Sequence, residues 1–230
     1  MTHSAPIHMR PTAPLAERVL LPGDPGRALA LAQALLGEPR MFNHHRGLWG
    51  YTGTAPDGEP LTIQSTGMGG PSAAIVLTEL IALGARRAIR VGTCGALVDG
   101  LALGDLVIAR ESICADGTSR ALGAGERARA DAALTEALER HAPTALRGTV
   151  VSVDLFYGGD ERTAHQDAIA VEMEAAALFA TGAAASVPVA CMLAVSDTFD
   201  AHGARVRIDD DTLLSAAEAM GRVAIAALSS

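Results

Sequence analysis

Lysine is absent from this 230-residue chain, in which each of the 18 basic residues is an arginine. Without a lysine amine, the chain can form neither a Schiff base nor a phosphate loop of the Walker A type. Any phosphate site must therefore consist of guanidinium groups and backbone amides.

Basic residues are also fewer than acidic residues. The 18 basic residues stand against 26 acidic ones, which gives a formal net charge of −8. Nucleic acids and anionic membranes are bound through clustered positive charge, so this balance argues against both as partners. A small anion remains a candidate ligand wherever arginines converge.

Cysteines and long apolar runs are scarce. Cys94, Cys114 and Cys191 are an odd number without close spacing, so neither a disulfide framework nor a zinc site is indicated, and a cytoplasmic protein is expected. The first residues lack the apolar core of a signal peptide, and no run of 18 apolar residues follows. We therefore expect no targeting segment and no membrane segment.

What the chain does contain is an alternation of strand and helix patterns. With 49% hydrophobic residues, its length suits one domain over residues 1–230. The alternation predicts an α/β fold with a central mixed, largely parallel β-sheet flanked by helices, in which ligands bind at the carboxyl ends of strands. Strands are predicted at 18–21, 49–54, 61–65, 88–91, 106–109, 148–153 and 188–195. Helices are predicted at 27–36, 71–83 and 131–141, and from about Val171 and Asp211 onward.

Two predicted strand ends carry arginines. The turn at 23–27, with the sequence GDPGR, would present backbone N–H groups and the Arg27 guanidinium to an anion, although an ordinary turn between strand and helix has the same composition. Arg90 lies just inside a buried strand and needs a partner. That partner is either an internal carboxylate or an anion that Thr93 and the neighbouring glycine amides also bind.

Two other strand ends carry carboxylates. Glu172 and Glu174 precede a helix, where they either favour the helix dipole or bind the cis-diol of a ribose. Their spacing predicts that only one of them points into a given cleft. Asp197 follows Ser196 at the end of an apolar strand, where the pair either forms a cap or turn or supplies an acid to a ligand nitrogen.

Seven short motifs occur in a characteristic order and spacing. They are PGDPGRA at 22–28, HRGLWGYTG at 45–53, TGMGGPSA at 66–73, RVGTCGA at 90–96, DLFY at 154–157, VEMEAAA at 171–177 and VSD at 195–197. With these motifs the chain resembles the nucleoside phosphorylases of the purine and uridine phosphorylase family, in its hexameric branch. The resemblance runs from about His8 to the C-terminal end.

The resemblance implies a site with three parts. Phosphate would bind to Gly23, Arg27, Arg90 and Thr93 of one subunit and to Arg46 of a neighbour. The ribose would contact Met68, Glu172, Met173, Glu174 and the neighbour's His8. The base would contact Phe156, Arg162, Ser196 and Asp197. A homohexamer built as a trimer of dimers would complete each site, and neither a metal nor an organic cofactor is expected.

The same resemblance implies a mechanism for a pentosyltransferase of purine salvage. Cleavage of the C1′–N bond develops positive charge on the ribose and negative charge on the base. Phosphate would stabilise the ribose charge and then capture C1′ to give ribose 1-phosphate. Asp197 would stabilise the base through a proton or hydrogen bond to purine N7.

Different motifs favour different bases. Asp197 matches the purine branch, because uridine phosphorylases lack an acid at this position. The segment 156–162 resembles the uridine branch, with Arg162 retained but Asp160 where that branch has a glutamine. A purine nucleoside is therefore our first prediction and uridine the alternative. Either Arg205 or Arg207 would be the arginine that assists the acid.

Two further alternatives belong to other classes. A nucleosidase that cleaves methylthioadenosine or adenosylhomocysteine uses water, which needs no cage of Arg27, Arg46 and Arg90. An inactive nucleoside-binding protein is disfavoured because the chain has a candidate for every catalytic role. Phosphate-dependent turnover distinguishes a phosphorylase from both.

Overall fold

The computed structural model describes residues 6–157, 165–199 and 204–230, in which six α-helices flank an eleven-stranded mixed sheet. The strands are β1 (Arg18–Leu21), β2 (Gly37–Asn43), β3 (Gly50–Thr54), β4 (Pro60–Gln64), β5 (Arg87–Ala96), β6 (Leu106–Ala115), β7 (Arg127–Arg129), β8 (Leu146–Val153), β9 (Ala170–Glu172), β10 (Val189–Phe199) and β11 (Arg205–Arg207). The helices are α1 (Pro25–Leu35), α2 (Gly70–Leu83), α3 (Gly117–Ala121), α4 (Ala132–His141), α5 (Ala175–Ala185) and α6 (Asp210–Leu228), and a one-turn 3-10 helix spans His45–Gly47.

The strands follow the order β11-β10-β6-β8-β9-β5-β1-β4-β3-β2, with β7 beside β6. Strand β10 also pairs with β5, so that β5, β10, β6, β8 and β9 close into a ring. Parallel pairing joins β4, β1, β5 and β10 in the centre, whereas the β2–β3–β4 meander and the β10–β11 pair are antiparallel. The α/β class with a central mixed sheet is confirmed.

Successive side chains along each strand point to opposite faces of the sheet, so the strands contribute to two hydrophobic cores, one on each face. On β10, Ala190, Met192 and Ala194 pack with α1, α4 and α6, while the residues between them pack with α2 and α5. The helix α1 begins at Pro25, two residues before the predicted start at Arg27, because Pro25 occupies its first turn and the Asp24 carboxylate accepts a hydrogen bond from the Arg27 amide at 2.7 Å. Helices on both faces leave the strand ends free to form a cleft.

Two predicted elements have wrong bounds, and one strand was not predicted. The strand predicted at 88–91 continues through residues 92–95, which form the second half of β5 and pair with β10. Val171 lies in β9, and the helix after it begins only at Ala175. Strand β2 was not predicted, because it is mostly exposed and polar.

Candidate active site

A cleft of about 580 Å³ opens at the carboxyl ends of several strands. It contains every predicted site residue except His8 and Arg162, and Arg162 lies outside the described residues. The predicted residues that line it are Gly23, Arg27, Arg46, Met68, Arg90, Thr93, Phe156, Glu172, Met173, Glu174, Ser196 and Asp197. Strand ends distant in sequence are thus brought to one place.

Arg90 lies at the bottom of this cleft with only 3% of its side chain exposed. Its Nε donates a hydrogen bond to Glu172 Oε2 at 3.1 Å, and its Nη2 donates to Glu174 Oε2. Burial alone would lower the pKa of Arg90, but the charges of Glu174 and Glu172 hold it above its ordinary value. The sequence left an internal carboxylate or an exogenous anion as the partner of Arg90, and the structure supplies two carboxylates.

One nitrogen of this guanidinium, Arg90 Nη1, is buried and has no hydrogen-bond partner. It faces the GDPGR turn, since a Cβ added at Gly23 would lie 4.0 Å from it. A buried charged donor without a partner is costly, which indicates a ligand acceptor at this point. The orphan nitrogen therefore marks a place for an anion between Arg90 and the first turn.

The glycine two residues after Arg90 gives the guanidinium its space. The arginine side chain extends forward along β5, and a Cβ added at Gly92 would lie 2.6 Å from Arg90 Cζ and 2.7 Å from Nη2. Any larger residue at this position must displace the guanidinium. This explains the glycine in the RVGT motif by packing.

Arg27 is the second guanidinium at this end of the cleft. Burial is the main cause that lowers its pKa, and the positive charge of Arg90 acts in the same direction, while Asp24 and Glu174 oppose the shift. Two arginines that repel one another require negative charge nearby. Thr93, half-buried on β5, lines the same end of the cleft.

The charges at this end of the cleft come from arginines and carboxylates. The guanidinium groups of Arg27 and Arg90 lie near three carboxylates, those of Asp24, Glu172 and Glu174. With Arg46, which lines the same cleft, one chain presents three of each and no net positive charge. A bound phosphate dianion would be favoured by further positive charge at this place.

Glu172 is the most enclosed carboxylate of the site, with a fully buried side chain. Besides Arg90, it accepts hydrogen bonds from Ser152 Oγ and, at 2.9 Å, from the backbone amides of Glu174 and Ala175. Burial raises the pKa of its carboxyl group. The resemblance implies that Glu172 contacts the ribose. These contacts instead favour a role for Glu172 in holding Arg90.

Glu174 lies at the start of α5 and is also held on two sides. Its Oε1 accepts a hydrogen bond from the Gly69 amide at 2.6 Å, and its Oε2 contacts Arg90. Both Glu172 and Glu174 thus reach the same arginine, so the prediction that only one of them would point into the cleft is wrong. The backbone bends between β9 and α5, which removes the regular spacing on which the prediction depended.

Arg46 has an unusual backbone for a residue with a side chain. It lies in the 3-10 turn with φ of 59° and ψ of 19°, in the left-handed region that costs energy for residues other than glycine. It lines the cleft of its own chain. Its assignment to a neighbouring subunit's site stays a prediction.

His8 lies outside the cleft and is held by Glu79 on α2. Its Nδ1 is 2.8 Å from Glu79 Oε1, and the backbone amides of Ile7, His8 and Met9 all donate to the same carboxylate. This contact fixes the segment that carries His8 against the body of the protein. The predicted contact with a neighbour's ribose remains untested.

The other end of the cleft, where the base is predicted to bind, is formed by β10 and β11. The Asp197 carboxylate accepts a hydrogen bond from Ser196 Oγ at 2.7 Å through Oδ2, while its Oδ1 is buried without a hydrogen-bond partner. Arg207 Nη1 is 3.8 Å from that oxygen. Of the two arginines left open by the sequence, Arg207 is therefore the one beside the acid.

Arg205 has a different contact. Its Cζ lies 4.9 Å from the ring centroid of Phe156, which is the distance of a cation–π pair. Residues two apart on a strand share a face, so Arg205 and Arg207 both project from β11 toward the cleft. One approaches the aromatic ring and the other the carboxylate.

Sequence reasoning missed Ser152 and the contact of Arg205. Ser152 lies among the valines at the end of β8, fully buried beside Glu172. A polar residue inside an apolar run was the available signal, because such a group needs a buried partner. No sequence signal pairs Arg205 with Phe156, since 48 positions separate the two residues in the chain.

The described parts of the chain contain no helix with the length and apolar character needed to cross a bilayer. Within the same residues, no group of three or more His, Cys, Asp or Glu side chains is placed to hold a metal ion.

Comparisons with known proteins identify the family of this chain. The model of the phosphorylase superfamily matches residues 17–229. A DeoD-type purine nucleoside phosphorylase of Clostridium beijerinckii is 38% identical over 206 residues, covering 84% of this chain and 86% of that protein. One from Geobacillus kaustophilus is 37% identical, covering 81% and 83%. Among solved structures, the uridine phosphorylase of Vibrio fischeri ES114 complexed with 6-hydroxy-1-naphthoic acid has 25% identity and a TM-score of 0.82, covering 94% of this chain and 92% of the other. The chain belongs to the phosphorylase superfamily.

Proposed function

We propose that this protein cleaves purine ribonucleosides and deoxyribonucleosides with inorganic phosphate, releasing the free base and the sugar 1-phosphate. The observation that carries the proposal is the pair of unpartnered buried atoms at the two ends of one cleft. Arg90 Nη1 is an open donor at one end and Asp197 Oδ1 an open acceptor at the other. An anion and a nitrogenous base respectively suit these two positions.

The chemistry follows from the separation of these two ends. Phosphate next to Arg90 and Arg27 would lie on the side of the ribose where positive charge develops, and would attack C1′. Asp197 in protonated form would donate to N7 of the departing purine, and Arg207 would stabilise the carboxylate that remains. Glu174 would bind the ribose hydroxyls between the two ends.

Purine is preferred over uracil on two grounds. The relatives of 37–38% identity are purine nucleoside phosphorylases, and Asp197 provides the acid that a purine N7 requires. Uridine is the second candidate, supported by the similarity of the fold to the uridine phosphorylase of Vibrio fischeri. The prediction for Arg162, which would read the base edge, lies outside the described residues.

The test is a nucleoside panel with and without phosphate. Inosine, guanosine, adenosine, uridine and the 2′-deoxy forms are incubated with the protein, and the free base is measured. We expect release from the purine nucleosides only when phosphate or arsenate is present. Equal release in phosphate-free buffer would identify a nucleosidase, release from uridine alone would identify the uridine branch, and no release would leave an inactive binding protein.

The proposal includes a homohexamer in which His8 and Arg46 act at a neighbouring site. The equal number of arginines and carboxylates around the anion position supports it, because a guanidinium from a second subunit would supply the net positive charge that favours a phosphate dianion. Mixing inactive Arg46→Ala protein with inactive Glu174→Ala protein under subunit exchange should restore part of the activity. An active monomer in light scattering would contradict the shared site.

We further propose that the enzyme is cytoplasmic and needs neither a metal nor an organic cofactor. Phosphate is a co-substrate, and the charges at both ends of the bond are stabilised by side chains in the mechanism above. Turnover should therefore be the same before and after dialysis against EDTA. A loss of activity that added metal restores would refute this part of the proposal.

A further inference from the structure

A buried chain of hydroxyl groups leads from the centre of the protein to the anion end of the cleft. Ser112 Oγ on β6 is 2.9 Å from Ser152 Oγ on β8, and Ser152 Oγ contacts Glu172 Oε1. Glu172 in turn accepts the hydrogen bond from Arg90 Nε. All four side chains are buried, so water does not compete for these bonds.

Counting donors fixes the direction of this chain. The Ser152 hydroxyl has one hydrogen, which it donates to the Glu172 carboxylate. Its oxygen then accepts from Ser112 at 2.9 Å, a shorter contact than the 3.3 Å from Ser112 Oγ to the Ile113 carbonyl oxygen, and from the Ala176 amide at 2.9 Å. Ser152 therefore uses its one hydrogen and both of its lone pairs, which leaves it a single orientation.

The effect of this arrangement is to fix Glu172. Ser152 and the Ala175 amide hold its Oε1, while its Oε2 accepts from Arg90 and from the Glu174 amide. A carboxylate with donors on both oxygens cannot rotate without losing several bonds. Arg90 Nε donates a hydrogen bond to this carboxylate. This bond orients the guanidinium so that the unpartnered Nη1 faces the turn at Gly23.

We propose that Ser152 is a positioning residue for phosphate, acting through Glu172 on the direction of Arg90. The inference rests on the proposed phosphorolysis, because it takes phosphate as the ligand of Arg90. Ser152 touches neither phosphate nor nucleoside in this scheme. It determines the geometry of the hydrogen bond between Arg90 Nη1 and the phosphate.

The experiment measures phosphate and nucleoside binding separately in Ser152→Ala. We expect the KM for phosphate to rise by about tenfold, the lower end of the effect of losing a hydrogen bond to a charged group. The KM for inosine should stay at its wild-type value. The rise in Tm that phosphate produces in the wild-type protein should shrink in the variant, which reports anion binding without turnover.

Two other variants separate positioning from general destabilisation. Thr135→Ala is the matched control, because it removes a buried hydroxyl whose hydrogen bond, 2.6 Å to the Asp131 carbonyl, belongs to α4 and not to the cleft. It should lower Tm while both KM values stay unchanged. Glu172→Gln keeps the shape of the side chain but removes the charge that holds Arg90, so it should raise the KM for phosphate even if Ser152→Ala does not fold.

The outcomes are distinct. A folded Ser152→Ala protein whose phosphate KM equals that of Thr135→Ala would overturn the inference, as would an equal rise in the KM values of both substrates. If Glu172→Gln raised only the KM for inosine, Glu172 would be a ribose contact and the inference would be wrong. If the wild-type protein released base without phosphate and gained no stability from it, the proposed function itself would fail.

Discussion

The substitution Gly92→Ala tests the anion site with a single added carbon. It removes no polar group and leaves the chain in β5. The added Cβ would lie 2.6 Å from Arg90 Cζ and 3.0 Å from its Nε. Since carbon atoms pack at about 3.5 Å or more, the guanidinium must move by roughly 0.9 Å.

This displacement determines the expected magnitude. The bond from Arg90 Nε to Glu172 is 3.1 Å long, and a movement of that size away from the carboxylate takes it beyond hydrogen-bond range. Losing a hydrogen bond between charged groups costs about 1.5–3 kcal/mol. If the displaced Nη1 loses the same amount of binding free energy to phosphate, the KM for phosphate rises about 10- to 150-fold.

The assay is steady-state phosphorolysis of inosine. Phosphate is varied at saturating inosine in one series, and inosine is varied at saturating phosphate in the other. Gly37→Ala is the matched control. This glycine also lies in a strand, and the nearest atom to an added Cβ there is the Thr54 carbonyl oxygen at an ordinary 3.6 Å. The control should show wild-type KM values for both substrates.

An unchanged phosphate KM in folded Gly92→Ala protein would refute the reasoning. It would mean either that Arg90 keeps its function from a shifted position or that it does not bind the anion. A rise in the KM for inosine alone would assign Arg90 to the nucleoside instead.

Three other substitutions probe separate parts of the molecule. Asp197→Asn keeps the shape of the acid but cannot donate its proton, so kcat for inosine should fall about 10²–10⁴-fold, with a much smaller loss for 7-methylinosine, whose base already carries positive charge. Arg205→Ala removes the cation over Phe156 and should raise the KM for inosine about two- to fivefold while the KM for phosphate stays constant. The Arg18 guanidinium holds the pKa of Asp57 below its ordinary value, so Asp57 stabilises the fold when ionised. Asp57→Asn should therefore lower Tm at neutral pH, and the difference from wild type should narrow as the pH falls below about 3.9, the ordinary value for aspartate.

The sequence predicted the cleft through its motifs, because most of them lie at the carboxyl ends of strands and parallel strand ends meet at one edge of a sheet. It did not predict how the charged groups pair. Arg90 was left with two kinds of partner, and only the fold shows that two carboxylates occupy two of its nitrogens while the third stays open. Such pairing depends on contacts across more than 80 positions, which local patterns do not report.

Local structure was predicted best where apolar periodicity was strong. The buried strand β1 and the helix α2 follow their predicted bounds closely. The glycine-rich part of β5 lay outside the strand predicted at 88–91, because small residues, which here leave space for the Arg90 side chain, are also typical of turns. The choice between Arg205 and Arg207 depended on the register of β11 with β10, in which Asp197 is opposite Arg207.

The pairing of β5 with β10 fixes the spacing between the two ends of the cleft. Asp197 is opposite Gly95 across the ladder, and the Arg90 guanidinium extends forward to the level of Gly92. Three residues of extended chain separate these levels, or roughly 10 Å. With phosphate at Arg90 and the base at Asp197, as proposed, backbone hydrogen bonds instead of loops would set the distance between them. Loop changes near Phe156 would then alter which base is accepted while this distance stays constant.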